Sequence, residues 1–485
     1  MEDLSHRPNP SVVDCVSVST GVVNRAALQQ AVADEVKLHE KRTPKSSAAF
    51  EAADHLLGRV PMTWQAKMGS GRPIYLATAS GCRITDIDGN SYVDFALGDT
   101  GAMTGHSPKA TLAAVRQRLF ELGGVTCMMP TVDAEAVGAE LTRRFKVPIW
   151  SFTLTATDAN RWALRIARLV TGRPKICAFA YSYHGSVDET LGVLDARGNT
   201  VNRPGNVAPA IDVVHTTRIA EFNSVESVEA ALKHRDVAVL IMEPAMTNIG
   251  IVLPKAGFLD AVKALCVKYG TLLLIDETHT ISMGPGGCTQ AWNLQPDIFV
   301  IGKCIGGGIP CGAYGLSRAV ADKIGEHQDA DLQDVGGVGG TLAGNALSTA
   351  AMRATLTHVL TDAAFKRMLA LGTRLREGIE RGIREFNVPW TVVQLGARAE
   401  YRFAPTAPAN GTESAAAHDG DLDTFMHLYV SNRGLLITPF HNMLLACPDT
   451  TPADVDLHTK LFRDAVADLV RRGVFGATSK PKGKL

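Results

Sequence analysis

Three short apolar runs in this sequence each end on a charged residue. V-A-V-L-I-M-E-P, T-L-L-L-I-D-E-T and I-F-V-I-G-K place Glu243, Asp276 and Lys303 at the carboxyl ends of three strands that read as buried. Packing has little use for a charge there, because removing it from water is costly. In an open α/β sheet that edge is where ligands bind. A carboxylate for a ring nitrogen and a primary amine for an aldehyde are the two groups that pyridoxal phosphate requires, and Asp276 and Lys303 supply them. Each residue has a plainer reading alone: Lys303 as a snorkelling strand-end lysine, Asp276 as a helix or turn cap, Glu243 as a structural hydrogen-bond partner. The three together favour an imine-forming lysine with a supporting acid.

A phosphate needs free backbone N–H groups at a helix start. The run T-L-T-A-T-D-A-N-R-W-A-L-R-I-A-R-L-V offers one, with Thr155, Thr157 and Asp158 clustered at its beginning. Y-S-Y-H-G puts Tyr183 and His184 just after the strand K-I-C-A-F-A, where an aromatic ring can lie on a flat cofactor. The glycine-rich stretch G-G-V-G-G-T-L-A-G-N-A-L at 336–347 matches neither nucleotide-loop pattern, so a nucleotide reading fails there.

These residues need a scaffold that brings strand ends together. From about 105 to 345, apolar runs alternate with helical periodicity, which predicts an α/β domain with a mostly parallel central sheet flanked by helices. In K-A-G-F-L-D-A-V-K-A-L-C-V-K-Y-G, residues Phe258, Leu259, Val262, Leu265 and Cys266 share one helical face, and Gly270 stands at the C-cap. Residues 1–45 read as a peripheral N-terminal extension containing one helix. Residues 46–104 read as the N-terminal part of a small domain: a helix running to Gly58, then a hairpin about Asp88-Gly89-Asn90. Two helices and a strand region after 345 predict a C-terminal small α+β domain over 346–485, with a basic tail, S-K-P-K-G-K-L.

The 485 residues suffice for a large core, and 46% hydrophobic with 20% charged residues excludes disordered and collagen-like classes. Lys+Arg and Asp+Glu balance at 49 each, which argues against nucleic acid or an anionic membrane as the partner. Nine scattered cysteines without a C-x-x-C pair read as free thiols in a reducing compartment. The opening M-E-D-L-S-H-R-P-N-P lacks the regions of a secretory signal, and no run is long enough to span a membrane, so the expectation is a soluble cytoplasmic protein.

Taken together, D-I-D-G-N-S-Y-V-D-F, G-H-S-P, T-A-T-D-A-N, Y-H-G, M-E-P, I-D-E-T, G-K-C-I-G-G-G-I-P and G-G-T-L-A-G-N resemble the class III (ω-type) aminotransferases of pyridoxal-phosphate fold type I over about residues 45–470. The likeness is to the branch near glutamate-1-semialdehyde aminomutase and the β-phenylalanine aminotransferases. It implies that Lys303 carries the cofactor and Asp276 holds its ring nitrogen. Tyr183 would stack on the ring, with His184 and Glu243 nearby, and Ala156 and Thr157 would cup the phosphate. Thr341 would reach the phosphate from a neighbouring subunit, making a homodimer the active unit. Two departures stand out. The phosphate cup, usually N-S-G-T-E-A, reads L-T-A-T-D-A here, so Ala156 narrows the backbone approach. The segment after Asp276 reads E-T-H-T, which brings His279 near the site.

The function so implied is transfer of an amino group from an amine or β-amino acid to a keto acid such as pyruvate or 2-oxoglutarate. The alternatives are an aminomutase of the glutamate-1-semialdehyde type and a non-catalytic pyridoxal-phosphate binder. A substrate carboxylate calls for arginine. In L-G-A-R-A-E-Y-R-F, Arg398, Glu400 and Arg402 alternate onto one strand face. Arg398 is the first candidate for the carboxylate, Arg402 the second, or the row is a surface ion-pair ladder. Trp64 is the candidate pocket wall.

Overall fold

The protein is described by a computed structural model covering residues 23–67, 71–327 and 340–475. Its largest sheet has seven strands: β1 (Ile149–Thr153), β2 (Lys175–Phe179), β3 (Thr217–Ala220), β4 (Val237–Met242), β5 (Leu272–Asp276), β6 (Ile298–Ile301) and β7 (Gly312–Leu316). They lie in the order β1-β7-β6-β5-β4-β2-β3. Only β7 runs against its neighbours, β6 and β1; the other pairs are parallel. This is the mostly parallel α/β sheet that the strand–helix alternation predicts, and it agrees with the fold that the resemblance implies.

The near-continuous apolar runs follow from burial on both faces. Val239 and Ile241 of β4 and Leu274 of β5 pack against Ala159, Ala163 and Ala167 of the helix Ala156–Thr171. Leu240, Met242, Leu273 and Ile275 point the other way, toward Phe258 and Val262 of the helix Phe258–Tyr269. That helix ends at Gly270, which takes a left-handed conformation (φ 64°).

Register sets the functional edge. Asp276 lies level with Val300 of β6, and Ile275 with Met242 of β4. Glu243 therefore leaves β4 beside Asp276, and Lys303 follows two residues after β6 ends.

The second lobe draws on both ends of the chain. Leu76–Ser80, Arg83–Asp86 and Ser91–Asp94 form an antiparallel meander, and Leu435–Leu436 adds to it in parallel beside Ser91–Asp94. Thr391–Leu395, Arg398–Arg402 and Met443–Leu445 form an antiparallel sheet under the helices Asp362–Phe386 and Pro452–Arg471.

Two expectations change. The first helix, Arg25–Arg42, is not peripheral: Leu28 and Ala31 are fully buried in the main core, and Glu35 accepts from Asn432 Nδ2 at 2.7 Å and from Arg433. The second helix stops at Glu51 instead of running to Gly58; Leu57 is 91% exposed, so continuing the helix would gain no burial there. Residues 1–22, Gly336–Gly339 and the basic tail lie outside the described residues. The eight cysteines among the described residues are free, and all but Cys127 are buried. No helix among the described residues is long and apolar enough to cross a membrane.

Since β4 is buried along its whole length, Leu240→Ala removes atoms that the core cannot replace by collapse. Urea unfolding of this variant should show a loss of about 2–5 kcal/mol; a change under about 0.5 kcal/mol would contradict the packing described.

Candidate active site

One cavity of about 490 Å³ opens at the carboxyl edge of β4, β5 and β6. Lys303, Asp276, Glu243, Tyr183, His184, Ala156, Thr157, Trp64 and His279, widely separated along the chain, all line it.

Asp276 forms the floor. Its Oδ2 accepts from His184 Nδ1 at 3.0 Å and Asn160 Nδ2 at 2.9 Å, while Oδ1 accepts from Thr278 N at 3.1 Å. Burial alone would push this carboxyl upward, but the hydrogen bonds from His184, Thr278 and Asn160 outweigh it and hold the group at about 2. An ionised acid is thus fixed on the cavity wall, able to accept from a ring N–H. His184 is buried beneath it and acts through it.

Lys303 sits in a left-handed conformation (φ 53°) at the start of a single 3-10 turn, Lys303–Gly306. Its Nζ donates to Asp99 Oδ2 at 2.8 Å and Asp99 O at 2.9 Å, and it also meets His279 Nε2. Asp99 (φ 51°) and Thr100 (φ 83°) are left-handed as well. Three strained non-glycine residues around one amine mark a geometry held by its surroundings. The Lys303 ammonium keeps the Asp99 carboxyl well below the usual range despite its burial.

The phosphate end is the N-terminus of helix Ala156–Thr171. Thr155 caps it, accepting from Asp158 N at 3.0 Å. Glycines outside the T-A-T-D motif bring the neighbouring backbone close. A Cβ on Gly302 would lie 2.9 Å from Ala156 Cβ, and one on Gly312 would lie 2.6 Å from Thr155 C. Gly185 has φ 82°, and a side chain there would collide with Thr157. Ala156 thus sits in a tightly packed turn, with glycines of the neighbouring segments pressed against it. Acid, amine and helix start therefore fit pyridoxal phosphate: Asp276 for its nitrogen, Lys303 for its aldehyde, and the amides at Ala156 and Thr157 for its phosphate.

Trp64 closes one side, its ring 5.7 Å from Tyr183 and 5.6 Å from Phe440 between centroids. Glu243 is buried; burial lifts its carboxyl to about 7 against the pull of His184 and Thr247. Thr247 Oγ1 donates to Glu243 Oε2 and lies 2.7 Å from His279 Nδ1.

The arginines differ from expectation. Arg398, Glu400 and Arg402 share a face of their strand, but that face is buried and forms no surface ladder. Arg398 stands behind the wall, donating to Ser282 Oγ at 2.8 Å, Thr100 Oγ1 at 2.8 Å and the His279 carbonyl at 2.6 Å. Gly396 causes this: a side chain there would strike Ser282, so the strand docks directly on the loop after β5. Arg402 is committed to Ser414 O at 2.5 Å and lies 3.8 Å from Glu400. Neither arginine is part of the cavity lining. Thr341 is exposed and is not part of its own chain's cavity lining.

Asp99, Asn160 and Thr247 escaped the sequence reading. Asn160 lies inside T-A-T-D-A-N, and Asp99 stands as a lone charge beside glycine in A-L-G-D-T-G. That charge in an otherwise small stretch is the one signal that could have marked it.

In comparisons with known proteins, the family model "Aminotransferase class-III" matches residues 65–460. A glutamate-1-semialdehyde 2,1-aminomutase 2 of Brevibacillus brevis is 32% identical over 421 residues, covering 84% of this chain and 94% of that protein. A solved glutamate-1-semialdehyde aminomutase from Pseudomonas aeruginosa PAO1 is 44% identical, with a TM-score of 0.89 over 92% of this chain and 99% of its own. That protein has also been solved, as a lysine-to-alanine form, in complex with PMP. A β-phenylalanine aminotransferase from Variovorax paradoxus is 25% identical, with a TM-score of 0.79 over 91% and 97% of the two chains.

The folded pKa of Asp276, about 2, lies below its ordinary 3.8, so the unfolded chain takes up the proton first as pH falls. Its contribution, about 2 kcal/mol, is complete above pH ~4 and lost as pH falls through ~2. In urea unfolding of the apoprotein, the stability gap between wild type and Asp276→Asn should be constant above pH ~4 and narrow below it. A gap that widens on acidification would rule out the ionised form.

Proposed function

The chain belongs to the class III aminotransferase family and works with pyridoxal 5'-phosphate, and from that premise we propose that it is an aminomutase of the glutamate-1-semialdehyde type. It would move an amino group between neighbouring carbons of one small amino-aldehyde carboxylate. The observation that carries this reading is the convergence of Lys303 and ionised Asp276 in one cavity, in a chain 44% identical to a protein named for that reaction.

When bound, the cofactor supplies an electron sink that acidifies the substrate C–H bond. The chain does the rest. Asp276 holds a proton at the ring-nitrogen position, and the amides at Ala156 and Thr157 anchor the phosphate. Tyr183 and Trp64 wall the reacting face from water. Lys303 Nζ takes a proton from the substrate carbon and returns it elsewhere.

Transamination to a separate keto acid is the second reading. The likeness to a β-phenylalanine aminotransferase supports it, and Arg398, whose Nη1 is buried with no partner among the described residues, would suit a substrate carboxylate in either reading. Reorientation of that guanidinium would offer a carboxylate site. In either reading the working unit is a homodimer. The supporting feature is a run of exposed apolar side chains, including Phe120 (81%), Met128 (79%), Met129 (70%) and Val132 (81%), which suits the surface of a second copy.

Purified protein should convert glutamate-1-semialdehyde without added keto acid, and Lys303→Ala should lower turnover by at least about a thousandfold. Strict dependence on pyruvate or 2-oxoglutarate would favour the transaminase; near-normal turnover by Lys303→Ala would remove both readings. By sedimentation the chain should be a dimer, and Phe120→Glu should shift it toward monomer; a wild-type monomer with full activity would refute the dimeric unit.

A further inference from the structure

His279 occupies a position that the proposed reaction leaves unassigned, and its contacts run in two directions. Nε2 meets Lys303 Nζ, and Nδ1 lies 2.7 Å from Thr247 Oγ1. The Thr247 hydroxyl has a single proton, which it donates to Glu243 Oε2. Its oxygen must then accept from His279, so the imidazole proton sits on Nδ1 and the Nε2 lone pair faces the lysine. At the far end, Glu243 Oε1 is buried with no partner among the described residues. These groups form one continuous hydrogen-bonded path from the amine to a buried acid.

We propose that Glu243, Thr247 and His279 form a proton relay serving Lys303, with His279 a further catalytic residue and Thr247 its indispensable link. The proposal rests on the reading of Lys303 as the reacting amine. One proton passes from the Lys303 ammonium to His279 Nε2, the Nδ1 proton passes to Thr247 Oγ1, and the hydroxyl proton passes to Glu243. The net result is a neutral amine and a protonated acid, and the reverse sequence restores the start. No electrons change hands.

The neighbours are consistent with this direction. Asp99 Oδ2, 3.4 Å from His279 Nε2, holds Nζ in line. Arg398 braces the His279 carbonyl from behind. His184 and Asp276 face Glu243 from the adjacent strands, and Tyr183 and His441 face Asp99. Burial, Lys303 and Arg398 hold the His279 imidazole down at about 4, so it is neutral and able to accept. Glu243, at about 7, exchanges protons in the working range.

The test compares wild type with Thr247→Val, Thr247→Ser, Glu243→Gln and His279→Gln. Two readouts are followed: the pH profile of kcat, and the rate at which apoprotein takes up pyridoxal phosphate covalently, followed by absorbance. Wild type and Thr247→Ser should show a limb near neutral pH. In Thr247→Val, Glu243→Gln and His279→Gln that limb should vanish, with kcat and the uptake rate both falling by about 10- to 100-fold and equilibrium cofactor affinity little changed. If Thr247→Val keeps both the limb and the uptake rate while Lys303→Ala is inactive, the relay is wrong and the reading of Lys303 stands. If Lys303→Ala remains active, that reading falls and the relay falls with it. Should Thr247→Val be misfolded by circular dichroism, the Thr247→Ser and His279→Gln pair decides: indistinguishable profiles overturn the proposal, and loss of the limb only in His279→Gln supports it.

Discussion

A carboxylate that stays ionised out of reach of water is the constraint around which this molecule is built. An isolated buried charge is prohibitively costly, so Asp276 exists as an anion only because donors from three separate segments converge on it. His184 follows β2, Asn160 comes from the helix after β1, and Thr278 opens the loop after β5. His184 reaches the acid only if the parallel register of β2, β4 and β5 is kept. A one-residue slip in a strand would turn its side chains to the opposite face.

The same loop after β5 carries a second burden. Thr278 supports Asp276 and His279 touches Lys303. The His279 carbonyl and Ser282 hold Arg398 of the second lobe. Within six residues of the acid, the chain has thus tied the cavity floor to the other domain. The glycines follow a related logic. Close backbone approach around the start of the helix Ala156–Thr171 is achieved at Gly185, Gly302 and Gly312, which leaves room for the Ala156 side chain. What matters there is the distance between segments, and which of them carries the glycine is secondary.

Much of this was legible in advance because strand ends are local features. Continuous apolar runs ending in Glu243, Asp276 and Lys303 announced both the sheet and its functional edge. The caps at Thr155 and Gly270 marked helix boundaries through their local hydrogen-bonding and backbone demands. The misjudged features depend on tertiary contacts. Arg398 alternates correctly along its strand, yet its surroundings are decided by how closely Gly396 lets that strand approach Ser282. Asp99 is a single charge in a turn, and only the fold brings it to an amine 204 residues away. The second helix failed similarly: continuing it past Glu51 would gain no burial at Leu57.

The second lobe, assembled from the two ends of the chain, also bears on the order in which the protein can form. Asn432 holds Glu35 across 397 residues of sequence, and Leu435–Leu436 completes the sheet begun by Ser91–Asp94. During synthesis the seven-stranded sheet can close on itself while this lobe still lacks its partners. The turn bearing Asp99 belongs to the early part and the brace from Arg398 to the late part. A ribosome-bound chain therefore has Asp99, His279 and Lys303 in hand before Arg398 can brace the segments that hold them. The brace between the two lobes is among the last contacts this chain can make.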